Sequence, residues 1–171
     1  FEGDACPEDA GKSIEDSYGC PDADGDGWSD LADAFPDESS QYSDIDGDGF
    51  GDSSDGYQAD ECPEVMGSST EDRLGCMDSD LDGWSDLNDA FAEESTQHSD
   101  ADGDGYSDDG DAFDDDPYQW ADNDGDGYPS NVNDPRDPNP YGGIDHFDEN
   151  PTQWDDSDGD GYGDNYGNAS W

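Results

Sequence analysis

Positive charge is almost missing from this chain. Its 171 residues include three basic side chains (Lys12, Arg73 and Arg136) against 52 acidic ones, for a formal net charge of −49. Nucleic acid is thereby excluded as an electrostatic partner, because phosphate recognition needs a basic face. Anionic membrane surfaces are disfavoured for the same reason. Apolar residues are scarce as well, at 27%, and no apolar run approaches the ~20 residues of a membrane span. No leader pattern opens at Phe1, and the lack of an initiator methionine is expected of a processed chain or a segment of a longer one. The two histidines, His98 and His146, lie in linkers, and neither Gly-x-Ser-x-Gly nor His-Glu-x-x-His occurs. Catalysis is therefore not expected: paired aspartates can do acid–base work, but sets repeated six times read as ligands.

A chain this polar and this charged is expected to stay disordered when alone. Ordering costs roughly 1–2 kcal/mol per residue, and so thin a core does not offset it. Like charges 4 Å apart also repel by about 1 kcal/mol in water. An expanded chain is expected without divalent cations.

What the chain does have is one twelve-residue phrase repeated six times, starting at Asp22, Asp44, Asp78, Asp100, Asp122 and Asp156. It reads Asp-x-Asp-x-Asp-Gly, then an aromatic residue, then further acids. Oxygen donors at positions 1, 3, 5, 9 and 12, a glycine at 6 and a backbone carbonyl at 7 give the donor spacing of an EF-hand-type calcium loop. The first copy offers Asp22, Asp24, Asp26, Asp30 and Asp33 with the Trp28 carbonyl. The second offers Asp44, Asp46, Asp48, Asp52 and Asp55 with Phe50. The third offers Asp78, Asp80, Asp82, Asp86 and Asp89 with Trp84, and the fourth Asp100, Asp102, Asp104, Asp108 and Asp111 with Tyr106.

Two copies are weaker. The fifth has Asp122, Asp124, Asp126 and the Tyr128 carbonyl, but Ser130 at position 9 and Asn133 at position 12, with Asp134 a possible substitute. Its reduced charge predicts weaker binding. The sixth has Asp156, Asp158, Asp160, Asp164 and the Tyr162 carbonyl, but Gly167 at position 12. Asn165, a water or a further segment would have to fill that gap. Calcium suits such flexible oxygen cages better than magnesium, which demands strict octahedral geometry. A site with a dissociation constant near ~10 µM gains about 2.7 kcal/mol of folding free energy in millimolar calcium.

The four cysteines form two similar pairs, Cys6 with Cys20 and Cys62 with Cys76, within repeated text (Cys6-Pro7-Glu8 and Cys62-Pro63-Glu64). Two disulfide-closed loops are expected, each contributing about 3 kcal/mol in the chain-entropy model. Zinc is the alternative, but no Cys-x-x-Cys pair supports it. Disulfides and calcium demand together predict an extracellular location.

The loop starts are separated by 22, 34, 22, 22 and 34 residues, so a larger period of 56 emerges and a tandem array is expected. The blocks are residues 1–56 and 57–112, each with a disulfide loop and two calcium loops, and 113–171, which drops the cysteines. Between Asp134 and Asp145 lies a decayed copy with Arg136 and Pro138 at old ligand positions, expected not to bind. Phe35, Phe91, Phe113 and Phe147 precede the next loop at a fixed distance, as do Gln41, Gln97, Gln119 and Gln153. Tyr42, His98, Trp120 and Trp154 follow those glutamines. Such registration predicts small cores of packed rings; a carbohydrate-binding face is the alternative. Amphipathic helices around the loops are missing, so mostly irregular backbone is expected, with at most a helical turn at Ser29-Asp30-Leu31-Ala32-Asp33.

These phrases resemble thrombospondin type 3 repeats, on Gln41-Tyr42-Ser43-Asp44-Ile45-Asp46-Gly47-Asp48-Gly49-Phe50-Gly51-Asp52 and Cys20-Pro21-Asp22, across nearly the whole chain. The resemblance implies an elongated, calcium-stabilised tandem-repeat rod with little regular secondary structure. It also implies more than one ion per repeat, with carboxylates bridging neighbours; Asp30, Asp52, Asp86, Asp108 and Asp164 are the candidates. One departure concerns cysteine. In that family it usually follows the last aspartate of a loop, whereas Asp33, Asp89 and Asp111 are followed by Ala-Phe. A cysteine-poor pattern fits a prokaryotic surface or filament protein.

The expected role is an extracellular calcium-binding structural repeat: a spacer, stalk or filament subunit, extended head to tail because the repeats begin and end mid-unit. An adhesive module holding carbohydrate or protein through its aromatics is the alternative. Asn168-Ala169-Ser170 is an N-glycosylation acceptor sequence, while Asn150-Pro151-Thr152 is blocked by proline.

Overall fold

With no apolar stripe to pack, the backbone has no reason to form long elements, and among the described residues it forms no helix and no sheet. The computed structural model describes residues 3–130 and 143–164. Turns and bends dominate, and the one regular pairing among the described residues is an isolated parallel bridge between Gly51 and Ala59. At Ser29 the expected helical turn is present, with the N–H groups of Ala32 and Asp33 donating to the Ser29 carbonyl at 2.8 and 2.9 Å.

The chain divides into two compact units, Phe1–His98 and Ser99–Trp171. In the first, the buried apolar residues are Cys20 and Cys76, while Ser13, Ser29, Gln41, Ser69 and Ser85 are buried polar groups. In the second, Phe113 is the buried apolar residue, and Ser107, Asp116, Gln119 and Asp145 are buried polar groups. The interior is therefore a hydrogen-bonded polar lattice with a few apolar plugs.

Disulfides join Cys6 to Cys20 and Cys62 to Cys76, with Cα atoms 4.9 and 5.1 Å apart. Each closes a small loop that only a glycine permits. A Cβ on Gly11 would fall 1.7 Å from the Cys20 carbonyl oxygen, and one on Gly67 would fall 2.1 Å from Cys76 backbone. Within each, a buried serine ties the turn: the Ser13 hydroxyl donates to the Ser17 carbonyl and the Ser69 hydroxyl to the Arg73 carbonyl.

The disulfide loops dock on the acidic loop that follows. Ile14 and Glu15 donate their N–H groups to the Gly27 carbonyl at 2.7 and 2.9 Å, and Thr70 and Glu71 do the same to Gly83 at 2.8 and 2.9 Å. Asp16 accepts the N–H and hydroxyl of Ser29 at 2.8 and 2.7 Å, and Asp72 repeats this with Ser85 at the same distances.

Rings link the other repeats. Trp28 stacks on Tyr42, Trp84 on His98, Tyr106 on Trp120 and Tyr128 on Trp154, with centroids 4.5–4.8 Å apart and planes within 7°. One partner is always loop position 7 and the other lies two residues before the next acidic loop. In the two loops preceded by a disulfide, that second slot holds Cys20 or Cys76 instead.

Candidate metal centres

The acidic phrase folds by hydrogen-bonding to itself. In the first loop the position-1 carboxylate, Asp22, accepts the Gly25 N–H at 2.7 Å. Asp24 accepts the Asp26 N–H at 3.2 Å, and Asp26 accepts the Trp28 N–H at 2.8 Å. The same ladder recurs from Asp44, Asp78, Asp100, Asp122 and Asp156. The turn requires a left-handed backbone at position 4, where Gly25, Gly47, Gly103, Gly125 and Gly159 have φ between 74° and 84°. Leu81 takes that position in the third loop at φ 69°.

The ladder uses the Oδ1 of each carboxylate, and in five loops the position-1 Oδ2 also accepts the position-6 glycine N–H, whereas the position-3 Oδ2 stays outside it. Ligand atoms of Asp22, Asp24 and Asp26 lie within 4.8 Å of one another, as do those of Asp44, Asp46 and Asp48, of Asp78, Asp80 and Asp82, of Asp100, Asp102 and Asp104, and of Asp122, Asp124 and Asp126. In all five, the Oδ2 of the position-3 residue (Asp24, Asp46, Asp80, Asp102, Asp124) is buried without a hydrogen-bond partner. Buried oxygens of this kind are costly unless something compensates them.

Position 9 closes the mouth of each loop. The N–H groups of Asp30, Asp52, Asp86, Asp108, Ser130 and Asp164 donate to the carbonyls just before each loop, those of Pro21, Ser43, Met77, Ser99, Ala121 and Asp155. Their side chains then accept the position-2 N–H: Asp30 from Ala23, Asp86 from Ser79 and Asp108 from Ala101, each at 2.7 Å. Ser130 makes the equivalent bond through its hydroxyl at 2.9 Å, so the fifth loop closes without a carboxylate there.

The last acid is where sequence spacing and structure part. Asp33, Asp89 and Asp111 each donate an N–H to the position-8 carbonyl of their own loop (Ser29, Ser85, Ser107) at 2.9, 3.0 and 2.8 Å. Each then accepts an N–H from the phenylalanine two residues on, at 2.6–2.7 Å. In the second loop this place belongs to Asp60, which donates to the Gly51 carbonyl at 2.8 Å and accepts the Cys62 N–H at 2.6 Å. Asp55, at the twelfth position, is exposed. In the fifth loop the place belongs to Asp145, which donates to the Pro129 carbonyl at 2.9 Å and accepts the Phe147 N–H at 2.6 Å. Asn133, Asp134, Arg136, Pro138, Asn165, Gly167 and Asn168 lie outside the described residues.

A signal for both residues was present in the text. Asp33-Ala34-Phe35, Asp89-Ala90-Phe91 and Asp111-Ala112-Phe113 share an Asp-x-Phe phrase with Asp145-His146-Phe147, and Asp60-Glu61-Cys62 carries cysteine in the phenylalanine slot.

Burial pushes the carboxyls of Asp33, Asp60, Asp89, Asp111 and Asp145 above the ordinary range, and neighbouring acids of the same loops push the same way. At Asp60 those neighbours are Asp48, Asp46 and Asp52, and at Asp145 they include Asp126 and Asp124. An oxygen-only donor set with buried, unpartnered oxygens fits a hard divalent cation. Among the described residues, the one ion pair, Arg73 with Glu61 at 3.4 Å, lies outside the triplets. No helix among the described residues is long and apolar enough to cross a membrane. No protein-family model matches the chain, and no curated protein is significantly similar to it.

Proposed function

We propose that the chain is an extracellular calcium-binding structural repeat of the thrombospondin type 3 kind, serving as a spacer, stalk or filament subunit that is folded and stiffened by Ca²⁺. One observation carries this reading: in loop after loop, carboxylate oxygens are buried without partners and face one another. Such a chain is self-repelling when bare, and divalent cations reverse the sign of that interaction. Calcium is favoured over magnesium by the carboxylate-rich, flexible loops. Two disulfides support an oxidising compartment. The repeated register supports an elongated array, with four loops tied to the next segment by a ring stack and the second by the disulfide unit after it. No catalytic role is proposed. The adhesive reading draws less support, because four pairs of registered rings stack on each other.

Calcium titration of the metal-stripped full chain, followed by near-ultraviolet circular dichroism and small-angle scattering, tests the proposal. The expected outcome is compaction with growth of an aromatic signal from the stacked tryptophans. Unchanged scattering and unchanged spectra on adding calcium would sink it.

A further inference from the structure

The loops that begin at Asp44 and Asp122 lack a usable acid at their twelfth positions, yet each has a buried carboxylate delivered from farther along the chain. We infer that Asp60 and Asp145 are the closing cation ligands of these two loops, and that Asp55 is not a ligand. This rests on the cation-binding reading above and assigns residues to it that the spacing does not.

Three observations converge. Asp60 and Asp145 make the same two bonds as Asp33, Asp89 and Asp111, one to the position-8 carbonyl and one from the N–H two residues on. They are 6% and 5% exposed, and in both the Oδ2 atom is buried with no hydrogen-bond partner, as in Asp89 and Asp111. Each is bonded to position 8 of a loop whose position-3 Oδ2, that of Asp46 or Asp124, is equally buried and unpartnered. Buried, unpartnered anionic oxygens gathered in one loop repel each other, and positive charge among them relieves that cost.

The chain reaches Asp60 in the second loop through an excursion between the loop's mouth and its closing acid. In the second loop the Gln41 side chain holds the excursion, donating to the carbonyls of Ser53 and Tyr57 at 3.1 Å and accepting the Ser53 N–H at 2.9 Å. The parallel bridge between Gly51 and Ala59 then sets Asp60 against position 8. Carboxylate charge lost from the fifth loop's twelfth position is thereby restored by Asp145. Ser130 at position 9 remains that loop's one missing carboxylate, so its affinity lies closer to the complete loops than its local spacing predicts.

The test is calcium stoichiometry and affinity, by equilibrium dialysis and calorimetry, on the full chain and four single variants. Asp60→Asn and Asp145→Asn keep the oxygen that accepts the local N–H but remove the charge; Asp55→Asn and Asp148→Asn are exposed controls of equal charge change. Expected is a weakening of one site by about 10-fold or more in each of the first two, and wild-type binding in the controls. Near-ultraviolet spectra and the absence of free thiols at saturating calcium verify that a variant still folds. Wild-type binding by folded Asp60→Asn and Asp145→Asn, or a site lost in Asp55→Asn, overturns the inference while leaving the proposed function standing. A wild-type chain that binds no calcium overturns the proposed function itself, and this inference with it.

Discussion

The side-chain amide of Gln41 occupies the space that a Cβ on Gly51 would need: that atom would lie 2.2 Å from both the Cδ and the Oε1 of Gln41. Gln41 is 1% exposed and pinned by three hydrogen bonds to the Ser53–Tyr57 excursion, so it cannot swing away. Gly51→Ala is expected to destabilise the calcium-loaded first unit by about 1–3 kcal/mol through overpacking. Gln41→Ala should cost about as much by leaving buried backbone groups unpaired. In urea denaturation, the double variant should show less than the sum, because the smaller side chain makes room for the new methyl. Strict additivity would argue against the contact.

Trp28 and Tyr42 stack at 4.8 Å with planes 3° apart. A double-mutant cycle with alanine at both positions is expected to give a coupling of about 0.5–1.5 kcal/mol. Coupling indistinguishable from zero would mean that the rings merely lie together.

Leu81 holds a left-handed backbone at φ 69° where five other loops have glycine, and its side chain is 73% exposed. Nothing is lost in packing when it is removed. Leu81→Gly should therefore stabilise the third loop, by about 1 kcal/mol, since strain of this kind costs more than the extra freedom of glycine in the unfolded chain. The melting temperature in saturating calcium decides it, and a decrease contradicts the strain argument.

The two classes of aspartate titrate in opposite senses. At Asp72, burial raises the carboxyl, but bonds from the Ser85 hydroxyl, the Arg73 and Ser85 N–H groups and Asn88 outweigh it and bring the value to about 2. That folded value lies below the ordinary ~3.9, so the contribution of Asp72 is fully present above about pH 4 and is lost as pH falls toward 2. Ser85→Ala should move the Asp72 titration upward, read by NMR.

The closing acids run the other way. Asp60, Asp89, Asp111 and Asp145 are raised, first by burial. Their cost to the folded chain is absent below the ordinary carboxylate value and complete above the raised one. In metal-stripped buffer, stability should therefore rise as pH falls from neutral toward about 4, with saturating calcium flattening that slope. A melting temperature that drops over the same range without metal would refute this.

Much of the candidate site is legible in the sequence, because an ion loop is a local object. Its donors sit within twelve residues, and the turn that gathers them needs glycine at fixed places. Cys6–Cys20 and Cys62–Cys76 were legible for the same reason: short spacing within repeated text. Asp60 and Asp145 were not reached by spacing, since a ligand delivered across an excursion has no fixed offset. Only the Asp-x-Phe or Asp-x-Cys phrase carries their signal. The irregular backbone followed from missing apolar periodicity, whereas the ring pairs followed from register alone, which marks Trp28 and Tyr42 as related without saying that they touch. Ser29 and Ser85, buried against Asp16 and Asp72, had no signal beyond their repetition.

The slot two residues before each acidic loop accepts either a ring or a half-cystine: Tyr42, His98, Trp120 and Trp154 in four places, Cys20 and Cys76 in two. A stacked ring is indifferent to electrons, whereas a half-cystine is not. A reductant therefore addresses two slots out of six and leaves the ring stacks intact, so reduction would loosen the chain at Cys20 and Cys76 instead of throughout.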